Sequence, residues 1–308
     1  MIIMRQMNIG TSNLRTSVLS LGCMRIAEME LKDASHLIGT ALESGINLFD
    51  HADIYGNGKS EELFAEAVEM RPSVREQMFI QSKCGIRSGS FDFSKEHIVT
   101  SVDGILKRLN TDYLDMLILH RPDTLVEPEE VASAFDQLQH EGKVRFFGVS
   151  NQNPMQIELL NKSLNQQLIV NQLQFGPAFS GMVDAGLHVN MLDQAAINRD
   201  GGILDYCRLK EITIQTWSPL QYGFFAGTFL NDEAYPELNA VLNRLSEEKS
   251  VTSAAIAIAW VLRHPAQMQP VLGSTNAQRV AEMAKASEIT LSREEWYQIY
   301  TAAGNILP

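Results

Sequence analysis

Eight short apolar runs recur along this chain of 308 residues, each closed by polar residues and most followed by a stretch with helical periodicity. The runs are 18–24 (VLSLGCM), 46–52 (INLFDHA), 78–84 (MFIQSKC), 113–120 (YLDMLILH), 144–151 (VRFFGVSN), 168–175 (LIVNQLQF), 212–218 (ITIQTWS) and 270–274 (PVLGS). Each has the length and apolar character of a buried strand. The segment 31–44 places Leu31, Ala34, Leu37, Ile38, Ala41 and Leu42 near a 3.6-residue spacing, with Gly45 as its stop. Further helices are predicted over 60–69, 94–109, 128–142, 154–164, 202–210, 235–249, 252–263, 276–286 and 292–303. Ser60 is read as the N-cap of the second helix, and Ser292 with Glu295 forms a capping box.

Eight strands alternating with helices predict an α/β fold, a (β/α)8 TIM barrel, better than a doubly wound sheet. The chain is read as one barrel domain over 1–308. Residues 5–19 are expected to form an N-terminal capping β-hairpin, and extra helices to follow toward the C-terminus. A break in the rhythm at 176–200 predicts an excursion, with a short strand or turn near 187–192. The dinucleotide fingerprint GxGxxG is absent after the first strand, where Gly22 stands alone, and Gly56-Asn57-Gly58 reads as a turn.

Composition narrows the function. A net charge of -12 argues against nucleic acid as a general partner, because backbone binding needs a positive surface. It leaves room for an anionic cofactor on a local positive patch. No secretory signal is visible, and the apolar stretch 254–262 is too short to span a membrane. Cys23, Cys84 and Cys207 are scattered and show no metal-ligand spacing, so a cytoplasmic setting is expected. No HxH pattern ends a strand, which disfavours a metal-dependent hydrolase.

Polar residues at the strand ends carry the chemistry. Asp50 and Tyr55 follow the second strand, Lys83 ends the third and His120 ends the fourth. In a barrel these ends are neighbours on the catalytic face. A carbonyl reductase needs an acid over the carbonyl oxygen. Tyr55 can serve if a nearby ammonium lowers its phenol, and Lys83 is the available ammonium. Asp50 can hold Lys83 charged, and His120 can orient the carbonyl.

The motifs FDHADIYG at 49–56, SEELFAEA at 60–67, LDMLILHRPD at 114–123 and GKVRFFGVSN at 142–151, with the strand-end Lys83, together resemble the aldo-keto reductase superfamily, most closely its bacterial YdhF-type oxidoreductases. The resemblance implies a tetrad of Asp50, Tyr55, Lys83 and His120, with Tyr55 as general acid. It implies extended NADPH across the strand ends, ahead of NADH, and reduction of aldehydes or ketones to alcohols. Ser150, Asn151 and Gln172 then meet the nicotinamide carboxamide, Trp217 stacks on its ring, and Ser218, Leu220 and Gly223 follow the pyrophosphate. Ser274 and Arg279 match positions that meet the 2′-phosphate, and Glu282 one near adenine. Gly273 and Met283 depart from the Lys and Asn that many members carry there. Met24, Tyr222 and Phe224 are expected to line the substrate pocket, and a small-molecule carbonyl is the expected partner of a monomer, although oligomers occur in the family. Two other readings stay open: a Lys83 Schiff-base lyase on the same barrel, and a nucleotide-binding regulatory protein with little turnover.

Overall fold

The computed structural model describes residues 4–308. Its centre is a closed parallel barrel of β1 (Ser20–Gly22), β2 (Leu48–Asp50), β3 (Phe79–Cys84), β4 (Leu114–Leu119), β5 (Val144–Ser150), β6 (Leu168–Gln174), β7 (Thr213–Trp217) and β8 (Gln269–Leu272). Each strand pairs with its sequence neighbour, and β8 returns to β1 through Val271↔Ser20 and Leu272↔Leu21. Every residue of β4 is buried, because helices cover the barrel outside while side chains fill it inside. That is why the strands read as continuous apolar runs.

Besides the short helices Pro72–Arg75 and Gly181–Leu187, the helices are α1 (Leu31–Glu43), α2 (Lys59–Ala67), α3 (Lys95–Leu109), α4 (Pro128–His140), α5 (Pro154–Asn161), α6 (Ile203–Leu209), α7 (Pro236–Lys249), α8 (Ser253–Arg263), α9 (Ala277–Ala284) and α10 (Arg293–Ala302). Helix α1 buries Ala34, Leu37, Ile38 and Ala41, the stripe expected from its periodicity. The capping box of Ser292 and Glu295 forms as read. Two helices follow β7 and two follow β8, so the additions lie at the C-terminal end of the chain.

An antiparallel hairpin, Gln6–Asn8 with Arg15–Ser17, sits against the strand starts. The Ser17 N–H donates to Asn47 Oδ1 (2.8 Å), and the Gly10 N–H donates to Thr213 Oγ1 (2.7 Å). Gly10 has φ +52, and a Cβ there would lie 2.6 Å from the Ile169 carbonyl oxygen, so the close approach requires glycine.

One local expectation changes and another is narrowed. Ser60 does not cap α2: the helix starts at Lys59 after Gly58, whose φ of 91 makes the turn, and Ser60 Oγ donates to the Cys23 carbonyl (2.6 Å). Of the short strand or turn expected near 187–192, the turn forms, with the Met191 N–H on the His188 carbonyl (3.2 Å). A short helix, Gly181–Leu187, and a 3-10 turn, Gln194–Ala196, occupy the excursion. A closed barrel leaves no free strand edge beside which this segment could pair. A small hairpin after β3, Ile86–Arg87 with Ser90–Phe91, was not foreseen.

A buried ion pair holds the lower ends of β3 and β4. Asp115 accepts from Arg75 Nη2 (2.6 Å), Arg145 Nη1 (2.8 Å) and the Ile80 N–H (2.9 Å). Arg75 also donates to the Met78 and Tyr113 carbonyls and lies over the Tyr113 ring. Removing the carboxylate strands a buried guanidinium. Asp115→Ala is therefore expected to cost about 3–5 kcal/mol, read from urea denaturation midpoints.

Candidate active site

Strand β2 ends on Asp50, and the chain turns at once. The Tyr55 N–H bonds the Ala52 carbonyl (3.0 Å), and Gly56, Asn57 and Gly58 all take positive φ. Gly56 is required here, since a Cβ would lie 2.4 Å from Ala27 Cβ. This tight turn carries Tyr55 back over the end of β3, where Lys83 stands.

Lys83 is fully buried. Its ammonium donates to Asp50 Oδ1 (2.7 Å), the His51 carbonyl (2.8 Å) and the Tyr55 hydroxyl (3.2 Å). An ammonium has three N–H donors, and each finds an oxygen. Burial works against the charge, but the Asp50 carboxylate and the hydrogen bonds outweigh it and push the lysine above its usual range.

Tyr55 departs from expectation. Burial pushes its phenol up from the usual 10.0, and the Lys83 charge opposes without prevailing. The phenol sits in a low-dielectric site that also feels Asp50, so its neutral form is favoured. His120 packs edge-on to Tyr55 with ring centroids 5.9 Å apart. Burial, followed by the Lys83 and Arg121 charges, holds its imidazole well below 6.5. Its Nδ1 is buried without a partner. Burial drives the thiols of Cys23 and Cys84 well above 9.0, so neither is a poised nucleophile.

A cavity of 860 Å³ opens over the strand ends. Asp50, Tyr55 and His120 line one part of it, with Met24 and Phe224. Lys83 lies beneath, out of the lining. Ser150, Asn151 and Gln172 line the middle, where Ser150 Oγ donates to the Gln172 carbonyl (2.9 Å) and Asn151 Nδ2 donates to Ser150 Oγ (2.7 Å). Trp217 is half-buried there, its Nε1–H donating to Asn151 Oδ1 (3.3 Å). Ser218 and Leu220 continue the wall, and Ser274, Arg279 and Glu282 form the far part.

Tyr222 and Gly223 are absent from the lining. The Tyr222 ring turns away to pack on Tyr235 at 5.3 Å, and Phe225, Gln221 and Thr228 take the rim instead. The excursion at 176–200 also contributes nothing to the cavity; His188 instead ties it to the C-terminal tail through the Ile306 carbonyl (2.9 Å).

Arg121, in the sequence only one residue of the motif at 114–123, takes a place in the site. It lines the cavity, with its guanidinium 5.7 Å from the Trp217 ring centre and 5.3 Å from that of Phe224. A cation directly after a strand-end histidine was the available signal. Arg279 is exposed and makes no ion pair among the described residues. Gly273 faces open space, and Met283 is buried against the cavity. The far part thus offers an apolar wall and, among the described residues, two guanidiniums without an ion pair: Arg279, and Arg25, whose Nη1 donates to the Gly273 carbonyl (3.4 Å).

These features suit an extended dinucleotide. An aromatic face and a serine–asparagine–glutamine cluster lie in the middle, and guanidiniums without an ion pair among the described residues lie in the far part.

The family model described as "Aldo/keto reductase family" matches residues 18–303. The chain is 36% identical to the uncharacterized oxidoreductase YcsN of Bacillus subtilis, covering 91% of this chain and 92% of that protein. It is 33% identical to a 6-dehydroglucose reductase of Agrobacterium fabrum (95% and 96% covered). It is 35% identical to oxidoreductase YdhF of Escherichia coli (89% of each). YdhF therefore stands no nearer than the others, and the finer placement beside it is not upheld. The fold matches the crystal structure of an aldo-keto reductase from Klebsiella pneumoniae in complex with NADPH, with TM-score 0.78 and 22% identity over 97% of this chain and 94% of that one.

His51 fills space. It is fully buried edge-on to Phe64 at 4.5 Å, and neither ring nitrogen has a partner. Burial and then the Lys83 charge lower it from 6.5 to about 3. Below pH 6.5 the unfolded chain takes up a proton that the folded chain refuses. The stability present above that pH therefore drains as pH falls toward 3. His51→Leu is expected to flatten this acid limb, measured as the pH dependence of the urea midpoint.

Proposed function

The chain belongs to the aldo/keto reductase family and is an NAD(P)H-dependent oxidoreductase, and from that premise we propose that it reduces aldehydes or ketones to alcohols with NADPH, Tyr55 supplying the proton. The observation that carries this reading is the Lys83 ammonium, held beneath the cavity between the Asp50 carboxylate and the Tyr55 hydroxyl, both of which line it.

When bound, NADPH supplies a hydride to the carbonyl carbon. Ser150, Asn151 and Gln172 hold the carboxamide end. Both amide N–H groups of Gln172 already serve Asp50 and Gln215, so its carbonyl oxygen is the atom left to accept from a carboxamide. Trp217 offers its face for stacking. Ser218 and Leu220 follow the pyrophosphate, and Ser274 and Arg279 receive the 2′-phosphate. Arg279 suits that group because its guanidinium is planar, always charged and unpaired. Glu282 and the buried Met283 flank adenine.

The carbonyl oxygen sits between Tyr55 and His120. The neutral imidazole hydrogen-bonds and orients it without adding charge. Tyr55, kept protonated by burial, gives up its proton as negative charge develops on that oxygen. Lys83 lies 3.2 Å from the phenol oxygen and stabilises the tyrosinate left behind. Asp50 keeps that ammonium in place. Met24, Phe224 and Arg121 shape the mouth, with Arg121 the polar handle on an otherwise apolar rim.

The lyase alternative needs a neutral lysine amine open to substrate. Lys83 is buried, raised and committed to three oxygens, the opposite condition.

Fluorescence titration with NADPH and NADH tests the cofactor. Tight NADPH binding is expected, weakened about 10–100-fold in Arg279→Ala, with NADH unaffected by the change. Equal affinity for the two nucleotides would remove Arg279 from the phosphate site. Tyr55→Phe is expected to lower kcat at least about 100-fold on a carbonyl panel that includes a dehydro-sugar, while the NADPH Kd stays put. Retained turnover would overturn the role of Tyr55.

A further inference from the structure

The barrel interior carries a polar seam. Gln81 on β3, Gln172 on β6, Gln215 on β7 and Gln269 on β8 are all buried. Strand register lines up Gln172 with Gln215 and Gln215 with Gln269, and it sets Gln81 beside Asp50. Gln81 and Gln215 come from opposite sides of the barrel and meet inside it.

Both N–H groups of each amide are used. Gln269 donates to Thr16 Oγ1 (2.9 Å) and the Ser17 carbonyl (2.7 Å), which belong to the N-terminal hairpin. Gln215 donates to Gln269 (2.8 Å) and Gln81 (2.9 Å). Gln81 donates back to Gln215 (2.8 Å) and to Asp50 Oδ1 (2.5 Å). Gln172 donates to Gln215 (3.1 Å) and to the same Asp50 oxygen (3.0 Å). Flipping any one amide would set donor against donor or leave Asp50 short of a partner, so the orientation of every amide in the chain is fixed. The chain of bonds ends on Asp50 Oδ1, the atom that contacts Lys83.

We propose that Gln81 and Gln215 are positioning residues that act through Asp50: this amide chain, anchored on the N-terminal hairpin, holds the Asp50 carboxylate on Lys83. A carboxylate on a short side chain has two soft torsions, and Lys83 alone constrains only one oxygen. Gln81 fixes that oxygen from inside the barrel, and Gln215 fixes Gln81 from the far wall. An apolar residue in either place would fill the volume without aiming the carboxylate. Gln172 is left out of the assignment because it also lines the cavity.

The kinetic consequence rests on the reductase reading above; the structural one does not. The test is a crystal structure and steady-state kinetics of Gln81→Met and Gln215→Met, with Gln81→Met repeated in an Asp50→Asn background. Gln81→Met is expected to let the Asp50 carboxylate swing off Lys83 Nζ. It is expected to lower kcat about ten-fold with KM and the NADPH Kd within about two-fold, and to add nothing once Asp50 is Asn. Gln215→Met should do the same more weakly. An Asp50 carboxylate unmoved in the Gln81→Met crystal, or a kcat loss that adds in full to that of Asp50→Asn, overturns the proposal. If Gln81→Met does not fold, Gln81→Glu keeps the size and sets an oxygen against Asp50; unchanged kcat in that variant overturns it equally. If the wild type turns over no carbonyl, the reductase reading falls, and the position of Asp50 in the crystal alone decides the assignment.

Discussion

The structure depends on one buried ammonium. Lys83 has no exposed surface, and an unpaired charge in that position would be prohibitively costly. It is tolerated because three oxygens meet its three N–H groups, and each comes from a different constraint. Asp50 arrives because β2 and β3 are register neighbours. The His51 carbonyl is the next backbone group along. Tyr55 arrives because Gly56 and its neighbours allow a turn that no other backbone would make.

The same charge sets the protonation of its surroundings. It depresses His51 and His120, both already lowered by burial, so the imidazoles nearest the ammonium stay neutral. It works against the burial that raises Tyr55. The site thus has a buried ammonium, a phenol whose neutral form is favoured and a neutral imidazole, the combination on which the proposed proton donation rests.

The polar barrel interior supplies fixed hydrogen bonds to the carboxylate of this site. Parallel barrels usually fill their interior with branched apolar side chains. Here glutamines replace several of them and exchange hydrogen bonds across the barrel. A satisfied buried amide network has directional geometry that an aliphatic core lacks. It links the hairpin at the strand starts to the carboxylate at the strand ends.

Much of this was legible in the sequence. The alternation of apolar runs and helices pointed to the barrel, because burial on both faces demands continuous apolar strands and eight such runs are the number a β/α barrel closes with. The polar residues ending those runs marked Asp50, Lys83 and His120. Sequence could not say that burial outweighs the Lys83 charge at Tyr55, since desolvation depends on what packs around the phenol. It could not turn Tyr222 toward Tyr235 or keep the 176–200 excursion from the cavity, since both follow from packing between distant segments. Gln81, Gln215 and Gln269 each looked like a lone amide in an apolar run. Only closure of the barrel brought them within hydrogen-bond reach, because strands far apart in sequence face one another across its interior.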